Sequence, residues 1–316
     1  MSQLRRVLLC FAQDNVEFRH PEIESLIKLF KLDVKVPSVC KKPYWIVENV
    51  TESDLKKIAS RSLSLRYAAE IWSDATTYDA FHDKLKTYTG TLEQSVKQSS
   101  FRITVDTYNK KIKHAEKIQR IESMDYLPLQ GTIDLTNPDI NFMYFEFWGL
   151  DPNNVAPEPE EIFFGRWIVD GQREIVNSIS LRTRKFIGNT SMNPALSLLM
   201  ANQGLCDKNQ LMFDPFAGTG SLMVSAAKFG SYVIGSDIDY QMLHGKTKPT
   251  RVKQKVREKD ESIKANLIQY GLQHLYLDVF VGDFSNCPFS DSIQFDSIIT
   301  DREYLLQNSS LKHLEV

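Results

Sequence analysis

The chain has no excess of either charge: 38 Lys and Arg against 40 Asp and Glu leave a formal net charge of −2 over 316 residues. A general attraction to polyanions is thereby excluded, and any contact with nucleic acid must come from local basic patches. Cysteine is scarce. Cys10, Cys40, Cys206 and Cys287 are scattered without a C-x-x-C pair, which gives no metal site and predicts reduced thiols inside a cell. The six histidines show no ligand spacing. Long apolar runs are missing as well. Val7–Ala12, preceded by Arg5-Arg6, is too short for a signal peptide and breaks at Gln13-Asp14, and no stretch approaches a membrane span. Repeats and low-complexity tracts do not occur. A hydrophobic content of 42% then predicts a soluble protein of about two domains, expected in the cytosol or nucleus, with the cytoplasm preferred.

The most informative stretch is Asp214-Pro215-Phe216-Ala217-Gly218-Thr219-Gly220. An apolar run, Leu211–Phe213, leads into it, and the helical pattern Leu222–Phe229 follows. The order strand, glycine loop, helix N-terminus places backbone N–H groups at the edge of a parallel sheet. A dinucleotide fingerprint requires a third glycine where Met223 stands, and a P-loop requires Gly-Lys-Ser/Thr where Gly220-Ser221-Leu222 stands. Asp214 would repel a pyrophosphate but suits a ligand carrying an ammonium or a sulfonium, and S-adenosylmethionine carries both. Ser231–Ser236 is strand-like and ends in Asp237 and Asp239, where a carboxylate can accept ribose hydroxyls. Leu275–Val281 ends in Gly282-Asp283, placed to accept from the adenine amine. Three strand ends followed by Asp, in β-α-β-α-β order, favour a methyltransferase. The structural alternatives are that Asp214 only caps the following helix, that Asp237 is a solvated acid, and that Gly282-Asp283 is an ordinary turn.

Upstream, Val7–Ala12 and Tyr44–Val50 read as strands and Pro21–Phe30 as an amphipathic helix. Thr51 or Ser53 caps the next helix, with Leu55, Ile58, Ala59 and Leu63 on its apolar face. Tyr78–Tyr88 and Lys117–Leu127 read as helices, and Ser100–Asp106, Gly131–Leu135 and Asn141–Phe147 as strands. The Pro-rich acidic segment Asp151–Glu161 reads as a linker, and Phe163–Val169 with Arg173–Leu181 as a hairpin turned by Asp170-Gly171. Asn193–Asn202 is a helix ahead of the glycine-loop strand. The expected organisation is an N-terminal α/β segment over 1–50, a second domain over 51–150, linker and hairpin over 151–188, and a cofactor-binding domain over 189–316.

Two regions resemble a known family. Ser100–Asp106, a helix, and then Asp134-Leu135-Thr136-Asn137-Pro138-Asp139 with an alternating strand resemble the end of a THUMP domain. Phe186-Ile187-Gly188-Asn189-Thr190-Ser191-Met192 followed by the Asp214–Gly220 loop is similar to the THUMP-linked methyltransferases, and most to the catalytic subunits that methylate guanine N2 at position ten of tRNA. The resemblance covers residues 1 to about 301. It implies an α/β fold in which a THUMP-containing region precedes a Rossmann-like class I methyltransferase sheet. It also implies S-adenosylmethionine as methyl donor, tRNA as substrate and a small zinc-binding activator subunit as partner.

Family members place Asp-Pro-Pro-Tyr at the end of the fourth strand. Here Phe295–Thr300 ends in Asp301-Arg302-Glu303-Tyr304, with Asp and Tyr in place and both prolines replaced. The resemblance assigns Asp301 to accept hydrogens from the exocyclic amine and Tyr304 to stack the flipped base. Four of the seven strands of such a sheet are expected, so the chain reads as a C-terminally truncated form with an incomplete catalytic end. Two other readings stand beside this one: a non-catalytic tRNA-binding variant and an RNA adenine N6-methyltransferase. Basic runs at Lys110–Arg120 and His244–Lys264 are candidate RNA contacts or solvated faces. Gly245-Lys246-Thr247 mimics a P-loop end, but Tyr240 stands where its first glycine belongs.

Overall fold

The computed structural model describes residues 3–38, 41–89, 94–189, 191–251, 254–286, 288–290 and 292–301. The chain divides into two compact units, Met1–Gln172 and Arg173–Val316.

The first unit contains β1 (Gln3–Phe11), α1 (Arg19–Leu29), β2 (Tyr44–Thr51), α2 (Glu52–Ala59), β3 (Leu65–Ala75), α3 (Tyr78–Thr89), α4 (Gln94–Gln98), β4 (Phe101–Tyr108), α5 (His114–Glu122), β5 (Ile140–Phe147) and β6 (Glu161–Asp170). The strands form one sheet in the order β2-β1-β3-β6-β5-β4. Only the β4–β5 pair is parallel. Alternation along β1 sends Val7, Leu9 and Phe11 to a core shared with Ile23, Leu26, Leu55 and Ile58 of α1 and α2. Leu8 and Cys10 face the opposite core with Tyr67, Phe145 and Phe163. Thr51, the first of the two expected caps, starts α2. Its hydroxyl accepts from Asp54 N at 3.1 Å, and the Asp54 carboxylate accepts the Thr51 N–H at 3.4 Å.

Several expectations are corrected here. Leu65–Ala75 is a central strand with no counterpart in the sequence reading. It lies between β1 and β6 and is buried on both faces, so the period-2 signal is absent. The hairpin at Asp170-Gly171 does not form. β6 pairs with β3 and β5, the Gly171 amide donates to Arg66 O at 2.9 Å, and the chain continues into a short helix, α6 (Ile175–Ser178). The apolar positions Ile175, Val176 and Ile179 have helical rather than alternating spacing. β6 is therefore an interior strand of the first sheet, not part of a linker, and β1 and β2 share that sheet with the strands beyond residue 50. Gly131–Leu135 makes only an isolated bridge, Ile133 to Phe101. Asp134 turns the chain there by accepting the amides of Thr136 and Asn137 at 2.8 and 2.9 Å.

The second unit follows with α7 (Pro194–Gln203), β7 (Leu211–Asp214), α8 (Ser221–Lys228), β8 (Tyr232–Asp237), α9 (Tyr240–Leu243), α10 (Ile263–Gln269), β9 (Tyr276–Val281) and β10 (Ser297–Ile298). These strands form a parallel sheet in the order β10-β7-β8-β9. The chain moves outward from β7 to β9 and returns to the other side of β7 with β10. The strand order therefore reverses beside β7, and the crevice at the carboxyl ends of β7 and β10 is the topological switch point where such sheets bind ligands. Phe213 anchors the sheet beneath it, with its ring 4.9 Å from Phe295 and 6.5 Å from Phe280. The fold class is thus mixed α/β, with a Rossmann-like parallel sheet of four strands among the described residues. None of the described helices is long and apolar enough to cross a membrane.

Candidate active site

Asp214 closes β7 and is 1% exposed. Burial pushes its carboxyl up to about 7. The Phe216 amide, donating to Oδ1 at 3.1 Å, and the neighbouring Thr300 hydroxyl oppose that rise, while Asp237 and Asp301 add to it. Thr300 Oγ1 is buried and has no partner within strict hydrogen-bond geometry among the described residues. The charges of Asp237, at the end of β8, and Asp301, just past β10, thus both reach Asp214 at the end of β7, a field that favours a cation at the switch point.

The glycine loop is fastened to β8. Ala217 N donates to Ser236 O at 2.8 Å, and Ser236 Oγ donates to Pro215 O at 3.1 Å. Gly218 N donates to Asp237 Oδ2 at 2.7 Å, and Asp239 N donates to Asp237 Oδ1 at 2.9 Å. Each Asp237 oxygen keeps a further lone pair for a ligand hydroxyl. Asp239 itself caps α9, accepting from Gln241 N and Met242 N at 2.8 and 3.0 Å. Gly220, at φ 76°, is the left-handed N-cap of α8, and a Cβ there would stand 2.6 Å from Ile263 Cγ2. Gly218, at φ 51°, has nothing within 4 Å of a Cβ position, so one side of the loop faces open space.

Asp283 follows β9 and is exposed. Its Oδ1 accepts the Ser285 hydroxyl at 2.7 Å and the Ser285 amide at 2.9 Å, which hold its pKa below the usual carboxylate range. Asp301 is exposed just past β10, whose line continues with Ile299 N donating to Phe213 O at 3.1 Å. Tyr304 lies outside the described residues. The fold therefore brings Asp214 through Gly220, Asp237 and Asp301 together around the switch point, with Asp283 at the end of the neighbouring strand.

Three contributors were not singled out from sequence. Phe284 stands edge-on to Phe216 at 5.9 Å and is 42% exposed, offering an aromatic edge beside the loop. An aromatic directly after Gly282-Asp283 was the available signal. Thr300 is the second. The third is Ser191, whose Oγ accepts Gly188 N at 2.9 Å and lies 2.7 Å from Thr219 Oγ1. A Cβ on Gly188 would stand 2.9 Å from Thr219 Cγ2, so this segment lies directly on the loop. Asn266 of α10 holds it at Phe186, with Oδ1 accepting from Phe186 N and Nδ2 donating to Phe186 O, both at 2.8 Å.

The basic runs are partly consumed by the fold. Arg257 pairs with Glu261 at 2.6 Å and donates to the carbonyls of Ile187, Thr247 and Lys248. Arg251 donates to the Arg184 carbonyl and Lys246 to the Tyr240 hydroxyl. Lys248, Lys255, Lys259 and Lys264 remain exposed. In the first unit Lys110 lies 3.5 Å over the Trp148 ring, Lys117 donates to Val105 O and Arg120 pairs with the buried Glu146 at 2.7 Å. Lys111 and Lys113 stay exposed. Tyr144, Phe145, Phe147 and Trp148 are core residues, as expected. Among the described residues no group of His, Cys, Asp and Glu is arranged to hold a metal ion.

Residues 5–173 match the model of the Tmrp11 THUMP N-terminal domain, and residues 182–314 match that of the RMKL-like methyltransferase domain. The chain is 42% identical over 313 residues to the Bos taurus tRNA (guanine(10)-N(2))-methyltransferase TRMT11, covering 97% of this chain and 68% of that protein. It is 32% identical to the Saccharomyces cerevisiae tRNA (guanine(10)-N(2))-methyltransferase, covering 97% of this chain and 69% of that one. Among solved structures, TrmN from Thermus thermophilus shares 14% identity at a TM-score of 0.45, covering 88% of this chain and 74% of that one.

Proposed function

The chain belongs to the THUMP-containing family of tRNA (guanine(10)-N(2))-methyltransferases, and on that premise we propose that it methylates N2 of guanosine 10 in tRNA, in the cytoplasm and together with a small zinc-binding activator subunit. S-adenosylmethionine is the methyl donor, and when bound it supplies a methyl group on a cationic sulfur.

One observation carries the reading on this chain's own residues: the buried Asp214 stands at the switch point with Asp237 and Asp301 acting on it. That cluster favours a sulfonium and an ammonium and disfavours a phosphate. The open side of Gly218 leaves room for the ligand. Asp237 is proposed to accept the ribose hydroxyls, Phe284 and Asp283 to border the adenine, and Pro215 through Gly220 to line the amino-acid end.

On the acceptor side, transfer is an in-line displacement, so the protein mainly positions two groups and excludes water. The lone pair of the guanine amine is delocalised into the ring. The Asp301 carboxylate is proposed to accept an amine hydrogen and free that pair, with Tyr304 stacking the base. Arg302 and Glu303 stand where the family has two prolines. Those prolines, each locking φ near about −65°, would fix a carbonyl beside the amine, and without them slow transfer is expected.

The deciding experiment incubates the purified chain, alone and with the activator, with methyl-labelled donor and unmodified tRNA, then digests the RNA. Label in N2-methylguanosine at position 10 supports the proposal. Label in N6-methyladenosine overturns it. Retained tRNA binding without label favours a non-catalytic tRNA-binding role, the reading that the Arg302-Glu303 replacement supports.

A further inference from the structure

Arg184 is a buried cation without a buried anion. Its side chain is fully buried, and every hydrogen-bond acceptor around its guanidinium is neutral. Nη1 donates to Ser221 Oγ at 3.1 Å, Nη2 to Ile179 O at 2.9 Å and Nε to Tyr270 Oη at 3.4 Å. Among the described residues no carboxylate pairs with it. The unit's other enclosed guanidinium, Arg257, has Glu261 at 2.6 Å. A cavity of about 440 Å³ is bordered by Arg184 together with Glu258, Asp260 and Glu261. Asp260 pairs with Lys185 and Glu261 with Arg257, and no ion pair joins the exposed Glu258 to Arg184.

The placement is unfavourable three times over. Removing a guanidinium from water is costly unless a counter-ion returns the loss. Among the described residues no counter-ion is there. Through Ser221 the cation also sits at the first residue of α8, the end at which the helix dipole is already positive. A cation held at such a cost contributes a positive field, and the field is centred where the glycine loop enters α8. The strand-end side of the same loop is negative, through Asp214, Asp237 and Asp301. The loop thus separates a negative wall from a positive one, matching a zwitterionic amino-acid group whose cationic atoms face the strand ends and whose carboxylate faces α8.

We propose that Arg184 is a positioning residue for the carboxylate of the methyl donor, acting through Ser221 and the start of α8. The proposal rests on the donor-site reading given above, and binding measurements separate the two. Calorimetry on the full chain compares S-adenosylhomocysteine, its carboxamide, and 5′-methylthioadenosine, which lacks the amino-acid group. The wild-type chain is expected to bind the carboxylate form about tenfold more tightly than the carboxamide, as one added favourable charge interaction of ordinary size gives. Arg184→Met is expected to weaken S-adenosylhomocysteine by about the same factor and leave methylthioadenosine unchanged. Arg184→Lys, which keeps the charge, restores the difference.

Equal weakening of both ligands by Arg184→Met would make the residue structural and overturn the inference. So would a wild-type chain that does not distinguish carboxylate from carboxamide, a measurement that needs no folded variant. A wild-type chain that binds none of the three ligands overturns the donor site itself.

Discussion

The Gly218 amide donates to Asp237 Oδ2 at 2.7 Å, joining the tip of the glycine loop to the end of the adjacent strand. One carboxylate therefore shapes the loop and offers lone pairs to the ribose, so it acts on donor binding twice. A hydrogen bond to a charged group contributes about 1.5–3 kcal/mol. Asp237→Ala is expected to weaken S-adenosylhomocysteine at least about tenfold. The variant also loses the bonds that Asp237 accepts from the Gly218 and Asp239 amides, so the melting temperature should fall as well. Unchanged affinity by calorimetry would remove Asp237 from the site.

Asp214 predicts a pH dependence of definite sign. Its pKa rises from an ordinary 3.8 to about 7 in the folded chain, so between those values the folded state holds more protons than the unfolded state. Stability from this group is fully present below the unfolded pKa and is lost as pH rises through the folded one. A cationic donor prefers the ionised form, so donor affinity should increase as pH passes about 7. Asp214→Asn removes both trends. Melting and calorimetric titrations from pH 5 to 9 check them, and an unchanged wild-type slope in the variant would assign the titration elsewhere.

The basic segment around Arg257 divides into two kinds of cation. Arg257 is buried against Glu261, and its replacement by Ala removes that ion pair and leaves Glu261 only its bonds from the Gln254 side chain and the Glu258 amide, so the melting temperature should fall. Lys255 and Lys259 are exposed. Lys255→Ala with Lys259→Ala should leave the melting temperature unchanged. If these lysines meet tRNA phosphates, the pair lowers the salt dependence of tRNA binding by about one ion per lysine. A filter-binding series across salt concentrations decides it, and an unchanged slope assigns both lysines to the solvated surface.

The glycine loop was legible because it needs residue types that little else needs: two glycines at positive φ and an acid at a strand end. The alternating β1 and the Thr51 cap were legible for similarly local reasons. β3 was not, since a strand covered on both faces loses its alternation, and Glu70 and Ser73 interrupt its apolar run. Asp170-Gly171 misled because a turn signal is local, whereas β6 pairs with β5, the strand before it, and with β3 much earlier in the chain, not with the segment after the turn. Arg184 lies within Arg182-Thr183-Arg184-Lys185, and only packing separates the buried member of that run from its neighbours. The Phe186–Met192 segment was legible as a family resemblance, but the role of Ser191 was not, because its hydroxyl meets that of Thr219, 28 residues away.

The two loop glycines should respond differently to the same substitution. Both have positive φ, so an alanine at either pays the left-handed penalty of about 1–2 kcal/mol. At Gly220 the new methyl would also stand 2.6 Å from Ile263 Cγ2, forcing α8 and α10 apart or Ile263 out of its rotamer. Overpacking of that kind costs about 1–3 kcal/mol more. At Gly218 the methyl meets nothing within 4 Å, so the fold bears only the backbone term, but the methyl enters the space assigned to the donor. Gly220→Ala should therefore show the larger drop in melting temperature. Gly218→Ala should melt nearer the wild type yet lose S-adenosylhomocysteine binding. If Gly218→Ala binds the ligand normally, the open side of the loop is not where the donor sits.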